Sequence, residues 1–176
     1  DLLDESTAVV LSYALEPETT KERILIYDFG ASKIDVSLFT YDSKSLMILG
    51  NNNINVGGID IDNALFEWLL KKYEIENKTP TLNDLCLLTQ AKNAKISLSF
   101  NTEVSIADFT ISRDEFEFLS LPIFEAAFSP IDKILRLSEL TYDDIDKVIL
   151  IGGTTYIPKV FENMNNMFPD RVVYGS

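Results

Sequence analysis

The sequence predicts an α/β fold, and three observations carry that prediction. Strand-like runs with short connections come first, and two amphipathic helical stretches follow. A fully apolar run, Val148-Ile149-Leu150-Ile151, then leads through Gly152-Gly153 into a last helix. In chain order, Ile24-Leu25-Ile26-Tyr27 reads as a buried strand. From Ile34 to Tyr41 the residues Ile34, Val36, Leu38 and Thr40 alternate with Asp35, Ser37, Phe39 and Tyr41, and Leu46 to Leu49 is a third strand. Connections this short make an antiparallel meander, with Asn51-Asn52-Asn53 as a polar turn beyond it. A helix from Asp60 places Ile61, Leu65, Trp68 and Leu69 on one face. A second, from Thr81 to Ser99, places Leu82, Leu85, Leu88 and Ala91 inward, with Thr81 and Asp84 as its capping pair.

Ser112 followed by Glu115 is a capping box that opens a helix carrying Phe116 and Leu119. Pro122 starts a further helix to about Leu137, bent by Pro130, and Pro158 sits in the first turn of the last one. Asp1 falls in the middle of a helical pattern, which predicts that the sequence is a segment of a longer chain.

Composition then narrows the chemistry. With 176 residues, 46% apolar and 24% charged, the chain can bury a sizeable core, and no run reaches the roughly 18 apolar residues of a membrane span. A net charge of −13 argues against nucleic-acid binding through a basic face, and any phosphate must be held mainly by backbone amides. The absence of histidine excludes a Ser-His-Asp or Cys-His nucleophile and histidine-ligated metal within this chain. The single cysteine, Cys86, lies in the run Leu85-Cys86-Leu87-Leu88 and reads as a buried small hydrophobe in a reducing compartment, which predicts a cytoplasmic location. Between Asn101 and Asp146 there are 11 acids against three bases, a solvated acidic face or a docking face for a basic partner.

Five of the seven glycines fall at strand-to-turn junctions: Gly30, Gly57-Gly58 and Gly152-Gly153. Without a Cβ, backbone can approach a phosphate or ribose closely and its amides can point at an anion, although glycines serve ordinary tight turns as well. Asp28 and Asp35 bracket the first of these turns, Phe29-Gly30-Ala31-Ser32-Lys33-Ile34. Carboxylates beside a phosphate-cradling turn can hold hydrated Mg²⁺, or can simply flank a hairpin.

The segment Asp28-Phe29-Gly30-Ala31-Ser32-Lys33-Ile34-Asp35-Val36-Ser37 resembles the second phosphate loop, DLGGGTFDVS, of the DnaK-type seventy-kilodalton heat-shock protein family (heat-shock protein 70). Three further matches keep the family's order. Asp4-Glu5-Ser6-Thr7-Ala8 is similar to its NEPTA helix, Val56-Gly57-Gly58-Ile59-Asp60-Ile61-Asp62-Asn63 to its LGGEDFDN, and Ile151-Gly152-Gly153-Thr154-Thr155-Tyr156-Ile157-Pro158 to its VGGSTRIP adenosine motif. Val173-Tyr174-Gly175 matches the closing AYGA, so the resemblance spans essentially the whole chain.

That resemblance implies the second lobe of an actin-like, ribonuclease H-like ATPase domain: residues 1–62 and 121–176 as the lobe, residues 63–120 as an inserted, mainly helical upper subdomain. It implies ATP or ADP with Mg²⁺ in a cleft shared with a first lobe. It further implies a peptide-binding domain, and a J-domain co-chaperone and an exchange factor as partners, with neither nucleic acid nor membrane. Position by position, Asp28, Asp35 and Glu5 become the catalytic carboxylates, holding Mg²⁺ through water. Amides of Gly30, Ala31, Ser32 and Lys33 face the β- and γ-phosphates, Gly57 the ribose beside Gly58, and Gly152 and Gly153 the α-phosphate and adenosine with Thr154 and Tyr156. On the helix Ala91-Lys92-Asn93-Ala94-Lys95-Ile96-Ser97-Leu98-Ser99, Lys95 and Ser99 keep ribose and adenine contacts, and Lys92 stands where the family has a glutamate.

Departures from the pattern point toward a divergent member. Ala31 and Ser32 replace two glycines of the phosphate loop, Lys33 replaces a threonine, and Ile96 and Tyr156 stand for the two arginines that sandwich adenine. Ser6 replaces the crossover proline, and the stretch from Phe100 to Ser112 is about ten residues shorter than in typical members. Two functions follow as expectations: an ATP-dependent chaperone, or a non-hydrolysing co-chaperone or exchange-factor-like protein that keeps the fold as a binding module. The isolated segment is expected to be inactive. A third reading, an actin-like fold used for assembly, runs against the Gly-Gly motifs.

Overall fold

A computed structural model describes residues 7–8, 21–42 and 45–175 of the chain. Glu5 and most of the segment resembling the crossover helix lie outside the described residues.

The predicted meander forms from β1 (Glu22–Phe29), β2 (Ile34–Asp42) and β3 (Ser45–Ile54), all antiparallel. The apolar run Val148–Ile151 lies in β6 (Lys147–Ile151), which pairs parallel with β1 and with β7 (Val172–Tyr174), giving the order β3-β2-β1-β6-β7. The centre of the sheet is apolar on both faces, as strands buried on both sides must be. Leu25, Tyr27, Val36, Leu38, Val148 and Leu150 belong to the main core, while Ile24, Ile26, Phe39 and Ile149 form a second cluster on the opposite face. Hence Phe39, expected on the outward set of β2, is buried.

Helix α1 (Gly58–Ile75) buries Ile61, Leu65, Trp68 and Leu69, as the spacing predicts. Helices α3 (Arg113–Leu119) and α4 (Leu121–Leu137) follow a short hairpin of β4 (Glu103–Ile106) and β5 (Phe109–Ser112). Ser112 caps α3 by accepting from the Glu115 amide at 3.2 Å. Pro130 lies inside α4 and lacks the N–H that would bond to the carbonyl of Ala126. The Ser129 hydroxyl donates to that carbonyl instead, at 2.8 Å. Beneath α4 the Tyr27 phenol donates to the Ala127 carbonyl at 3.0 Å, and burial pushes its pKa far up. Helix α5 (Pro158–Met167) begins with the predicted proline. No helix among the described residues is long and apolar enough to cross a membrane.

Three local expectations are corrected. Helix α2 (Asp84–Leu98) starts three residues later than the spacing suggested, because Asn83, rather than Thr81, caps it by accepting from the Cys86 amide at 3.0 Å. Its buried face is accordingly Leu87, Ala91, Ala94 and Leu98. Leu82 and Leu85, at or before the first turn, point away from the core, Leu85 with 74% of its surface exposed. Cys86 goes with them and is exposed. A stoichiometric thiol reagent is therefore expected to label native Cys86 within minutes, and labelling only after denaturant is added would contradict the placement. Finally, Asn51-Asn52-Asn53 is not a turn but lies in the second half of edge strand β3, where the Asn52 amide donates to the Pro130 carbonyl at 3.3 Å.

Candidate functional site

Strands β1 and β6 run parallel side by side, with Asp28 opposite Ile151, so the bends that follow them emerge at the same end of the sheet. In open α/β sheets the carboxyl ends of parallel strands are where ligands collect. The bend after β1 is closed by the Gly30 amide donating to the Lys33 carbonyl at 3.1 Å. The Gly30 carbonyl then accepts from both other bends: from the Gly58 amide at 3.1 Å and from the Thr154 hydroxyl at 3.0 Å. The Ile59 amide adds a bond to the Ala31 carbonyl at 2.8 Å. Three glycine-bearing turns far apart in sequence are thus tied together around one carbonyl oxygen.

The glycines divide by what surrounds them. A Cβ on Gly57 would overlap the Ala31 carbonyl group, and one on Gly152, whose φ is +86°, would lie 2.5 Å from both Asp28 Oδ1 and the Phe29 carbonyl oxygen. Backbone packing alone demands glycine at these two positions. A Cβ on Gly153 would meet nothing within 4 Å, and one on Gly30 only ordinary contacts. At Gly30 the Lys33 carbonyl oxygen already stands 3.4 Å from such a Cβ, and of the two it is Gly153 that borders open space.

That space is a cleft of about 390 Å³ between the third bend and α2, walled by Ala31, Gly153, Thr154 and Tyr156 on one side and Lys92, Lys95, Ile96 and Ser99 on the other. At its floor the Lys95 ammonium lies 2.8 Å from Asp62 Oδ1, an ion pair off the direction of a hydrogen bond, and donates to the Gly58 carbonyl at 2.9 Å. Both side chains are almost fully buried, so Lys95 fastens α2 to the start of α1 as well as lining the cleft. At the mouth the Tyr156 ring, 54% exposed, stacks on Tyr174 at 5.0 Å and 6°, and Phe161 also stacks on Tyr174 at 5.4 Å. Ile96 and Phe100 stand exposed at the same rim.

Asp28 and Asp35 are direct cross-strand partners in β1 and β2, sharing one face of the ribbon. Like charges so placed repel. Lys33, in the turn between them, sets its ammonium 2.5 Å from Asp35 Oδ2. Asp28 and Asp35 alone would suit a water-mediated Mg²⁺, but one of the pair already accepts an ammonium. No three acidic or cysteine side chains among the described residues group as metal ligands, and Glu5 lies outside them. The donor set in view does not fit a Mg²⁺ shell.

Of the residues singled out in the sequence, Ala31, Lys92, Lys95, Ser99, Gly153, Thr154 and Tyr156 line this one cleft, Gly30 and Gly58 are hydrogen-bonded to residues that line it, and Asp28, Asp35, Ser32, Lys33, Gly57 and Gly152 stand outside its lining. Gly57, Gly58 and Thr154 are buried and hold the bends to one another. The side chains of Ala31 and Ser32 are exposed on the loop. Sequence reasoning missed Asp62 as the partner of Lys95, although an acid near the start of α1 and a lysine on the buried side of α2 were a usable signal. It also missed Phe100 and the stacked rings, which no local pattern announces.

A family model described as Hsp70 protein matches residues 1–173 of the chain.

Proposed function

Since this chain belongs to the Hsp70 protein family, with a mixed five-stranded sheet flanked by helices as its actin-like, ribonuclease H-like lobe, we propose that it binds ATP or ADP in the cleft between α2 and the Gly152-Gly153 bend. Hsp70 proteins carry a chaperone-type nucleotide-binding domain that generally takes ATP or ADP with Mg²⁺. In this reading the base lies against the exposed face of Tyr156 near Ile96 and Ser99, the ribose approaches Lys95, and the phosphates run toward the Gly30 turn. The Ala31 and Ser32 amides, which donate to no acceptor among the described residues, would face the phosphates there. What supports the reading is the Gly30 carbonyl, on which all three glycine-bearing bends converge beside an open cleft.

The same proposal assigns residues 1–62 and 121–176 to the sheet lobe and 63–120 to an inserted subdomain. Its support is that α2, the β4–β5 hairpin and α3 fall inside 63–120, while no strand of the five-stranded sheet does. A first lobe would close the cleft from the other side, and nucleotide state would be passed to a peptide-binding domain, with J-domain and exchange-factor partners acting on that cycle.

Gly153→Ala separates ligand binding from folding. Its new methyl enters empty space, so the melting temperature should stay within about 1 °C. ADP affinity of the full-length protein, measured by calorimetry, should fall about tenfold, or roughly 1.4 kcal/mol. Unchanged affinity would place the nucleotide elsewhere. A second reading, a member that binds nucleotide without hydrolysing it, is favoured by the Cβ atoms of Ala31 and Ser32 on the phosphate loop. Single-turnover hydrolysis of bound ATP decides between the two.

A further inference from the structure

Lys33 is neither core nor cap. It lies in the turn joining two strands in which Asp28 and Asp35 are direct cross-strand partners. Its ammonium rests 2.5 Å from Asp35 Oδ2, yet the side chain is 61% exposed, so its four-carbon stem can sweep from that carboxylate toward an anion held at the same turn. Within the cleft the buried Lys95 is committed to Asp62 and the Gly58 carbonyl. A divalent cation binding at the Asp35 carboxylate would first have to displace the ammonium.

Resting on the nucleotide reading above, we infer that Lys33 is the built-in counter-ion of the phosphate loop, so that the site binds a nucleoside diphosphate without needing a divalent metal. Two acidic side chains near a diphosphate repel it unless a cation lies between them. A hydrated Mg²⁺ and a tethered lysine both supply that cation, and the lysine, being covalently part of the turn, is always there. As a compact point charge it turns between carboxylate and phosphate oxygens without the fixed octahedral geometry that Mg²⁺ demands. Added metal then finds the position occupied and changes affinity little.

The test is calorimetric titration of ADP into the full-length protein, once in millimolar Mg²⁺ and once in EDTA. For the natural sequence the two dissociation constants should agree within about twofold. Lys33→Thr should weaken binding in EDTA and create a Mg²⁺ dependence of about tenfold or more, while Lys33→Arg, keeping the charge, should leave the two buffers alike. Binding by the natural sequence that is about tenfold tighter with Mg²⁺ would overturn this inference and leave the nucleotide reading standing. Lys33→Thr behaving as the natural sequence in both buffers would overturn it as well. No binding in either buffer would overturn both the inference and the reading beneath it.

Discussion

Gly152→Ala is expected to destabilise the protein by about 4 kcal/mol, while the same change one residue later leaves it within about 0.5 kcal/mol. Two costs add at Gly152. Its φ of +86° lies in a region that residues with a Cβ rarely adopt, which costs about 1–3 kcal/mol. The new methyl would also stand 2.5 Å from the Phe29 carbonyl oxygen and from Asp28 Oδ1, and the β1 backbone cannot yield without breaking its pairing with β6, a crowding worth about 1–3 kcal/mol. Chemical denaturation followed by far-ultraviolet circular dichroism measures both variants. A loss under about 1 kcal/mol at Gly152 would mean that the third bend is not clamped against β1 as described.

The second large effect concerns Lys95. Lys95→Met is expected to cost about 3 kcal/mol, because it leaves the Asp62 carboxylate buried opposite an apolar side chain and the Gly58 carbonyl without its donor. Most of that loss should return in the double variant Lys95→Met with Asp62→Leu, since replacing a buried pair outright is far less harmful than orphaning one partner. The cycle should therefore yield a coupling above about 1.5 kcal/mol, and strictly additive losses would show that the pair does not interact. Nucleotide affinity should fall in both variants even where stability recovers, because Lys95 also walls the cleft. Recovery of stability without recovery of binding separates its two duties.

Several of these features were legible along the chain. The bracketed turn from Asp28 to Asp35, the double glycines at 57–58 and 152–153, the Ser112 cap and the starts at Pro122 and Pro158 all show as local patterns, and the structure has each where the sequence puts it. The phase of α2 was not. Two apolar repeats there fit a period of 3.6, one through Leu82, Leu85 and Leu88, the other through Leu87, Ala91, Ala94 and Leu98, and the Asn83 cap goes with the second. The β4–β5 hairpin followed only from the resemblance, which implies a shortened hairpin between Phe100 and Ser112; its strands are four residues each, too short for alternation to stand out. It is held from outside, by the Gln90 side chain accepting from the Ala107 amide at 2.7 Å and by Tyr73 donating to Asp108 at 2.8 Å.

By itself the sequence determined the strand runs of the meander, the apolar run of β6, the approximate place of the helices and the glycine-bearing bends between them. Such properties depend on neighbours a few residues away, through propensity, period and capping. Only the tertiary structure decided which glycines are required by packing and which leave room, that Lys95 belongs to Asp62, and that Cys86 faces solvent. Those outcomes turn on distances between groups remote in sequence, such as the Gly30 carbonyl and the Thr154 hydroxyl 124 positions apart, and such distances exist only once the sheet has brought its strands together.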